Sequence, residues 1–352
     1  MITKFDPKEL EILGFYANVG SYYGAPFPEV PVFRTPVSPK ENLKGYLERR
    51  EYHWVPNLIN DINWICPDMV PDVYAVGFEG GMDAFQVEWT PTHPEMGLPA
   101  IVKPGNPKLL DIADWERVLE FPDVDSWDWE AGGAMYREGS PKERMSMGVL
   151  NTAYFERLIA LMDFENAAMC MVEDPDSVCA LFERLTDFNI RVAEHYKKYF
   201  KPEILIIHDD WGSQRAPFFS RETLRKTILP FYKRLVSRIH EMDMYVMTHC
   251  DGNVEPFVPE MIEAGSDMWN LQANANPRLD ETVREYGDRL LFDILLELNA
   301  GMGAQAYRAE AERIYKNSRS RSYTLVDEMF SANDTRARIN YECARKAMTG
   351  EL

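Results

Sequence analysis

From about residue 145 the chain repeats one pattern: a short apolar run, one or more polar residues at its end, then a stretch of helical periodicity. The runs are MSMGVLN (145–151), EILIIHDD (203–210), MYVMTHCD (244–251), DMWNLQ (267–272), LLFDILL (290–296) and YTLVDEM (323–329). Such alternation predicts βα units and a parallel sheet, because parallel strands need crossover helices to join them. At 352 residues the chain suits one (β/α)8 barrel of the TIM type, with no repeat or linker to divide it. Residues 1–140 are irregular and rich in Pro and Trp, and are expected to form a loop-rich N-terminal elaboration over the barrel.

The intervening helices carry recognisable ends. Asp174-Pro175 opens one that runs to about Lys198, and Ser220 caps another that Pro230 should kink or divide. Gly265 and Gly287 are expected just past helix ends, in the left-handed conformation that glycine tolerates.

Buried parallel strands are apolar along their length. Here each run ends in polar residues: Asn151, His208-Asp209-Asp210, His249-Cys250-Asp251, Gln272, Asp293 and Asp327-Glu328. In a parallel barrel those positions face one open end, so they are expected to form one site rather than lie buried and unpaired.

In ILIIHDDWGSQRAPFF an apolar strand runs into His208, Asp209 and Asp210, then Trp211 and Gln214. Adjacent carboxylates repel, so one is either protonated or held by a cation or hydrogen bonds; the competing reading is a turn that satisfies loop amides. In YVMTHCDGNV, His249, Cys250 and Asp251 are all potential metal ligands. Alternate side chains of a strand face opposite ways, so His249 and Asp251 can share a side while Cys250 faces away. Weaker candidates are Trp269 and Gln272 in DMWNLQ, Glu79, Met82 and Asp83 in a Gly-rich loop, and Glu328 with Asp327 at the last strand end. Each has a plainer reading as core, turn or helix cap.

Composition removes other classes. The net charge of −19 argues against nucleic acid or an anionic membrane as partner. No apolar run is long enough to span a bilayer, and the opening MITKFDPKEL lacks an apolar signal core, so a cytoplasmic protein is expected. Five irregularly spaced cysteines without a CxxC pair suit a reducing compartment. The chain has no GxGxxG after a strand, no GxxxxGK[ST], no GxSxG and no HExxH.

Four segments together resemble the uroporphyrinogen decarboxylase superfamily: KPGNPKLLDIADWERVLEFPDVDSWDWE, NTAYFERLIALMDFENAAMCMVEDPDSV, HDDWGSQRAPFF and THCDGNVEPFVPEMIEAGSDMWNLQ. More narrowly they resemble its branch of corrinoid-dependent methyltransferases, over about residues 70 to 345. The resemblance implies a distorted (β/α)8 barrel. It also implies transfer of a methyl group from a small methylated donor to the cobalt of a corrinoid (cobalamin) carried by a partner protein. Members that act on a thiol bind zinc through a His-x-Cys-Gly motif and a later Cys. Aligned on Gly252, this chain has His249 and then Asp251, and no Cys near the last strand. The corresponding metal set would be oxygen-rich: His249, Asp251 and Glu328, with Cys250 left open. The likeness is nearer to members that demethylate aryl methyl ethers, such as guaiacol or vanillate.

On that reading His249, His208, Asp210 and Asp251 carry the chemistry. Asp209, Trp211, Gln214, Tyr154, Trp269, Gln272, Met82, Glu79 and Asn151 contact the donor. A homodimer is compatible with the sequence. Two rival functions stand beside it. One is a decarboxylase of a carboxylated tetrapyrrole or aromatic, although LERREYHWVPN, with Arg49 and Arg50, matches the arginine-rich segment of such enzymes poorly. The other is a barrel that binds a ligand without turning it over.

Overall fold

The computed structural model describes residues 2–22, 25–67, 79–92, 100–296, 302–325 and 333–352. Among these described residues seven parallel strands form one curled sheet, hydrogen-bonded in chain order. They are β1 (Ile62–Ile65), β2 (Met145–Leu150), β3 (Ile204–His208), β4 (Tyr245–His249), β5 (Met268–Gln272), β6 (Leu291–Leu296) and β7 (Arg321–Leu325). The chain just before β1 meets the far edge: Leu58 N donates to Tyr323 O at 2.8 Å and Tyr323 N to Pro56 O at 3.0 Å. The fold is therefore of the (β/α)8 barrel type.

Strand periodicity sorts the apolar residues into two cores. Met145, Met147, Val149, Ile204, Ile206, Met247, Met268 and Leu291 fill the barrel interior. Their neighbours Leu205, Ile207, Val246, Trp269, Leu271 and Phe292 face the outer helices. Strands buried on both faces have to be apolar throughout, which makes their polar residues conspicuous.

The outer layer includes α1 (Phe155–Met162), α2 (Pro175–His195), α3 (Leu229–Glu241), α4 (Val258–Ala264), α5 (Leu279–Tyr286), α6 (Ala304–Tyr315) and α7 (Asp334–Thr349). Asp174 caps α2 through the Ser177 amide, and a wider π-turn over Tyr196–Phe200 follows. Ser220 caps a short helix, Arg221–Thr227, and Pro230 lies in the first turn of α3, so the proline divides the helical stretch. Gly265 ends α4 at φ 94°. Gly287 departs from expectation: its φ is −65°, and it is required by space, since a Cβ there would lie 2.4 Å from Val283 O.

The N-terminal region is more than a covering elaboration, because it supplies β1. Four residues, INWI, are too few to show a strand period, and Asn63 breaks the apolar run. Asn63 is held by the Pro141 and Arg144 carbonyls beside β2.

Asp61, just before β1, is buried; it accepts from Trp54 Nε1 at 3.0 Å and Asn57 N at 2.9 Å, both on Oδ2. Burial outweighs these bonds and raises its pKa from 3.8 to about 6. An acid whose folded pKa is raised binds its proton more tightly when folded, so its contribution to stability falls as pH rises from about 4 to 6. Asp61→Asn keeps one acceptor oxygen for both donors. Its stability gain over the native chain should be larger at pH 8 than at pH 5, by about 1 kcal/mol in urea unfolding. An equal effect at both pH values would contradict this.

Candidate functional site

One level of the barrel interior is polar across five adjacent strands. His208 pairs in register with His249, His249 with Asn270, Asn270 with Asp293, and Asp293 with Ser322. From His249 to Ser322 each side chain is hydrogen-bonded to its neighbour's, as buried polar groups require. Ser322 Oγ and Thr324 Oγ1 donate to the two carboxylate oxygens of Asp293, at 2.8 and 2.6 Å. Asn270 Nδ2 also donates to Asp293, at 2.5 Å. Its amide is thereby oriented so that Oδ1 faces His249 Nδ1, at 2.5 Å. An amide oxygen only accepts, so His249 carries a proton on Nδ1 and turns Nε2 toward the open end of the barrel. The His208 ring stacks on His249, centroids 4.0 Å apart, and its Nδ1 meets Glu156 Oε2 of α1 at 2.7 Å.

Two loops bring carboxylates to this pair. Asp210 follows β3 and Asp251 follows β4; Asp251 N donates to Asp210 Oδ1 at 2.7 Å. The loops are laced together, with Asn253 N donating to Ser213 O at 2.7 Å. Gly252 permits this approach: its φ is 81° and a Cβ would lie 2.2 Å from Gly212 O. His249 Nε2 lies 3.8 Å from Asp210 Oδ1 and 4.0 Å from Asp251 Oδ1. The buried Asp251 Oδ1 makes no hydrogen bond.

The site's charges follow from these contacts. Burial alone would lower the His208 pKa, but Glu156, aided by Asp210 and Asp251, raises it to about 9. Glu156 moves the other way: burial resists, but His208 holds its carboxyl below the usual range. Burial, with Glu156 nearby, lifts Asp210 to about 6. Without a bound cation the cluster therefore keeps His208 protonated at neutral pH.

These groups form the polar end of a cavity of about 630 Å³. Trp89, Ile101, Val102, Ile159 and Phe164 make its apolar walls, and Glu156, Asp163, His208, Asp210, His249 and Asp251 its polar part. One wall is a three-stranded antiparallel sheet, Gly81–Met82, Glu88–Thr90 and Ile101–Val102. A buried ion pair ties it to α1: Arg157 NH1 lies 2.8 Å from Asp83 Oδ2. The Asp83 carboxylate also accepts from Trp89 Nε1 and from the amides of Phe85 and Val87.

The four residues expected to carry chemistry, His208, Asp210, His249 and Asp251, thus all line one cavity. Several expected donor contacts lie elsewhere. Asp209 is fully buried and accepts from the Tyr154, Phe155 and Glu156 amides and from Trp211 Nε1, so it caps α1. Tyr154 bonds Thr186 in the core, Trp211 packs edge-on to Tyr232, and Trp269 donates to Cys250 O. The Cys250 thiol faces the core, accepts from Trp211 N, and is pushed well above its usual pKa by burial; it is not turned toward the histidines. Gln214 and Gln272 bond each other at 2.7 Å outside the cavity lining. Glu79 and Met82 are exposed. Asn151 is half-buried with Oδ1 unbonded, one residue beyond β2. Glu328 lies outside the described residues.

Glu156, Asn270 and the antiparallel wall were not legible as site elements. Asn270 had a signal, a polar residue inside a strand otherwise buried. Glu156 is one ordinary acid at the start of an amphipathic helix. Thr152, which lines the cavity at φ 48°, is a strained residue of the kind that clusters at functional sites.

Among the described residues one group has metal-ligand character: His208, Asp210 and His249, whose ligand atoms all lie within 4.8 Å of one another. The orphaned Asp251 oxygen beside them fits a bound cation. Of the set His249, Asp251 and Glu328 implied by the sequence resemblance, His249 and Asp251 lie together, and Glu328 lies outside the described residues.

Residues 135–300 match the family Uroporphyrinogen decarboxylase (URO-D). That stretch, 166 of the 352 residues, is what the chain has in common with the family. A solved methyltransferase from Methanosarcina mazei shares the fold at 12% identity and a TM-score of 0.60, over 88% of this chain and 98% of that one. An endo-β-1,4-xylanase of glycoside hydrolase family 10 from Gloeophyllum trabeum, at 9% identity, covers 64% of this chain and 82% of its own with a TM-score of 0.41. No curated protein matches the sequence significantly. Among the described residues no helix is long and apolar enough to cross a membrane.

Proposed function

We propose that this protein moves a methyl group from an aryl methyl ether to the cobalt of a corrinoid, carried by a partner protein docked over the open end of the barrel. The observation that carries the reading is the cavity itself, apolar around Trp89 and Phe164 and closed at one end by the stacked histidines. An aryl ether needs both: a greasy slot for the ring and an electrophilic end for the oxygen. The superfamily match and the fold shared with a protein named a methyltransferase agree with it.

Phenolate is a poor leaving group, and reduced cobalt(I) is the strong nucleophile that attacks the methyl carbon. The C–O bond breaks with its electron pair on oxygen. Cobalt supplies the pair for the new C–Co bond, becoming formally cobalt(III), and the phenolate takes a proton. The protein's share is to aim the methyl group outward and stabilise charge on the oxygen from the His208–His249 side. Asp210 and Asp251 are placed to hold an ortho hydroxyl.

The charge of the cavity selects among donors. Among its described lining residues the one lysine or arginine is Lys103, which is paired with Glu88 at 2.8 Å. A carboxylated donor meets four acids, while the two cations of the lining, Lys103 and protonated His208, are already paired with Glu88 and Glu156, so guaiacol suits the cavity better than vanillate, and a tetrapyrrole polycarboxylate suits it least. With cob(I)alamin under anaerobic conditions, kcat/KM for guaiacol should exceed that for vanillate by roughly tenfold or more. Methylated amines and thiols should react more slowly than either. Release of CO2 from a carboxylated arene or tetrapyrrole without cobalt would overturn the reading in favour of decarboxylation.

A further inference from the structure

We infer that a second cavity, at the other end of the barrel strands from the histidines, binds a phosphate group through Arg137, Lys142, Arg144 and Lys201. Nothing in this depends on methyl transfer.

The cavity holds about 230 Å³ and lies beside the amino ends of β2 and β3. Glu203, on its wall, immediately precedes β3, while His208 ends that strand. At ~3.3 Å per residue, β3 sets the two cavities roughly 16 Å apart. The charge of this lining is the reverse of the chain's. Five cations, Lys40, Arg137, Lys142, Arg144 and Lys201, face one acid, Glu203, in a protein of net charge −19. Like charges gathered in one hollow repel, and a bound anion relieves the repulsion.

The deepest of these cations is part of the barrel. Arg144 directly precedes β2 and is 1% exposed. Its guanidinium has neutral partners: NH1 donates to Asn18 Oδ1 at 2.7 Å, NH2 to Ile59 O at 3.0 Å, and the Tyr16 ring lies 5.3 Å away. Its Nε is buried with no hydrogen bond. Asp61 attracts it only from beyond ion-pair distance, and burial pushes its pKa down to about 10. A buried charge without a close counterion is costly, and an anion in the adjoining cavity lowers that cost.

Backbone contacts gather the other cations. Arg137, in the helix Trp129–Gly139, donates to Tyr199 O, two residues before Lys201. Gly133 allows the helix this close, since a Cβ there would lie 2.6 Å from Tyr199 O. Lys142 Nζ donates to Arg137 O at 2.7 Å. Lys40 is paired with Glu203, whose other oxygen accepts from Ser146 N at 2.7 Å, and Arg137 is paired with the exposed Glu130. Those acids leave Lys142, Arg144 and Lys201 with no acid partner among the described residues.

A phosphate group suits what remains. It carries close to two negative charges at neutral pH and offers several acceptor oxygens to arginine and ammonium donors. The Ser140 hydroxyl on the lining adds a neutral donor. The volume is below the ~300–1,000 Å³ of pockets for drug-sized ligands, so inorganic phosphate or a small phosphate ester fits and a nucleotide does not.

The full chain titrated with inorganic phosphate in a calorimeter, at constant ionic strength, should bind one equivalent. Its thermal midpoint should rise with phosphate and not with chloride at the same ionic strength. The double variant Lys142→Gln, Lys201→Gln changes only exposed side chains, so the fold stands. It should bind phosphate more weakly by about tenfold or more. His208→Gln should bind phosphate as the native chain does, which separates this cavity from the one closed by the histidines. Glycerol 3-phosphate distinguishes the two sources of the group: tighter binding than inorganic phosphate identifies an ester, weaker binding the free ion. Absence of saturable binding would overturn the site, as would equal stabilisation by chloride. Undiminished binding in the folded double variant, or binding lost in His208→Gln, would overturn it equally.

Discussion

His249→Ala is expected to lower methyl transfer by roughly 10²–10⁴-fold in kcat/KM, the range for losing one well-placed electrophilic or acid group. The fold should survive, because the ring lies at the cavity end of the row, stacked on His208, and does not support the members behind it. The packed members below it, Asn270, Asp293, Ser322 and Thr324, keep their mutual bonds. What is lost structurally is a donor to Asn270 Oδ1, a cost of about 1–3 kcal/mol if water does not replace it. Activity and thermal midpoint measured together check the prediction. Near-native activity would remove His249 from the chemistry, and collapse of the fold would mean that the row cannot stand without it.

Asp83→Ala has the largest expected effect on stability. The Asp83 carboxylate is fully buried and serves four donors: Arg157, Trp89 Nε1 and the Phe85 and Val87 amides. Removing one partner of a buried ion pair leaves the other charge uncompensated, which costs about 3–5 kcal/mol. Arg157 also stacks over the Phe85 ring at 4.4 Å, so the same change unseats it from two contacts. The loss is local to the junction between the antiparallel wall and α1. The wall carries Trp89, Ile101 and Val102, hence donor binding should suffer with stability. Denaturant unfolding should show the drop, and a raised KM should accompany it in whatever fraction remains folded. A variant with unchanged stability would mean that water or a neighbouring group neutralises Arg157.

The barrel half of the chain was legible because buried parallel strands have a signature that little else mimics. Runs such as ILIIH and YVMTH are apolar on both faces and stop abruptly at polar residues. Alternation also separated His249 and Asp251 from Cys250, and the thiol does face the core. Less was legible where meaning depends on contacts distant in sequence. Asp209 and Asp210 are neighbours with equal claims as letters. One is buried under the amides of α1 and the other faces a cavity, and this follows from where a helix 54 residues earlier begins. Trp211 and Trp269 were expected to contact the donor, yet aromatic residues beside strand ends fill the interface with the helices here. The aromatic lining of the cavity comes instead from Trp89 and Phe164, in segments with no strand-end signal. Glu156 escaped notice because its role exists only through its bond to His208, 52 residues away.

The central claim is that an aryl ether loses its methyl group to cobalt in the cavity closed by His208 and His249. Guaiacol carrying a trideuteromethyl ether tests it in a single turnover of the protein with cob(I)alamin, read by mass spectrometry of the corrinoid. The account predicts trideuteromethylcobalamin and catechol in equal amounts, with both lost together in His249→Ala. Unlabelled corrinoid after complete consumption of guaiacol, or labelled corrinoid formed equally well by His249→Ala, would contradict it.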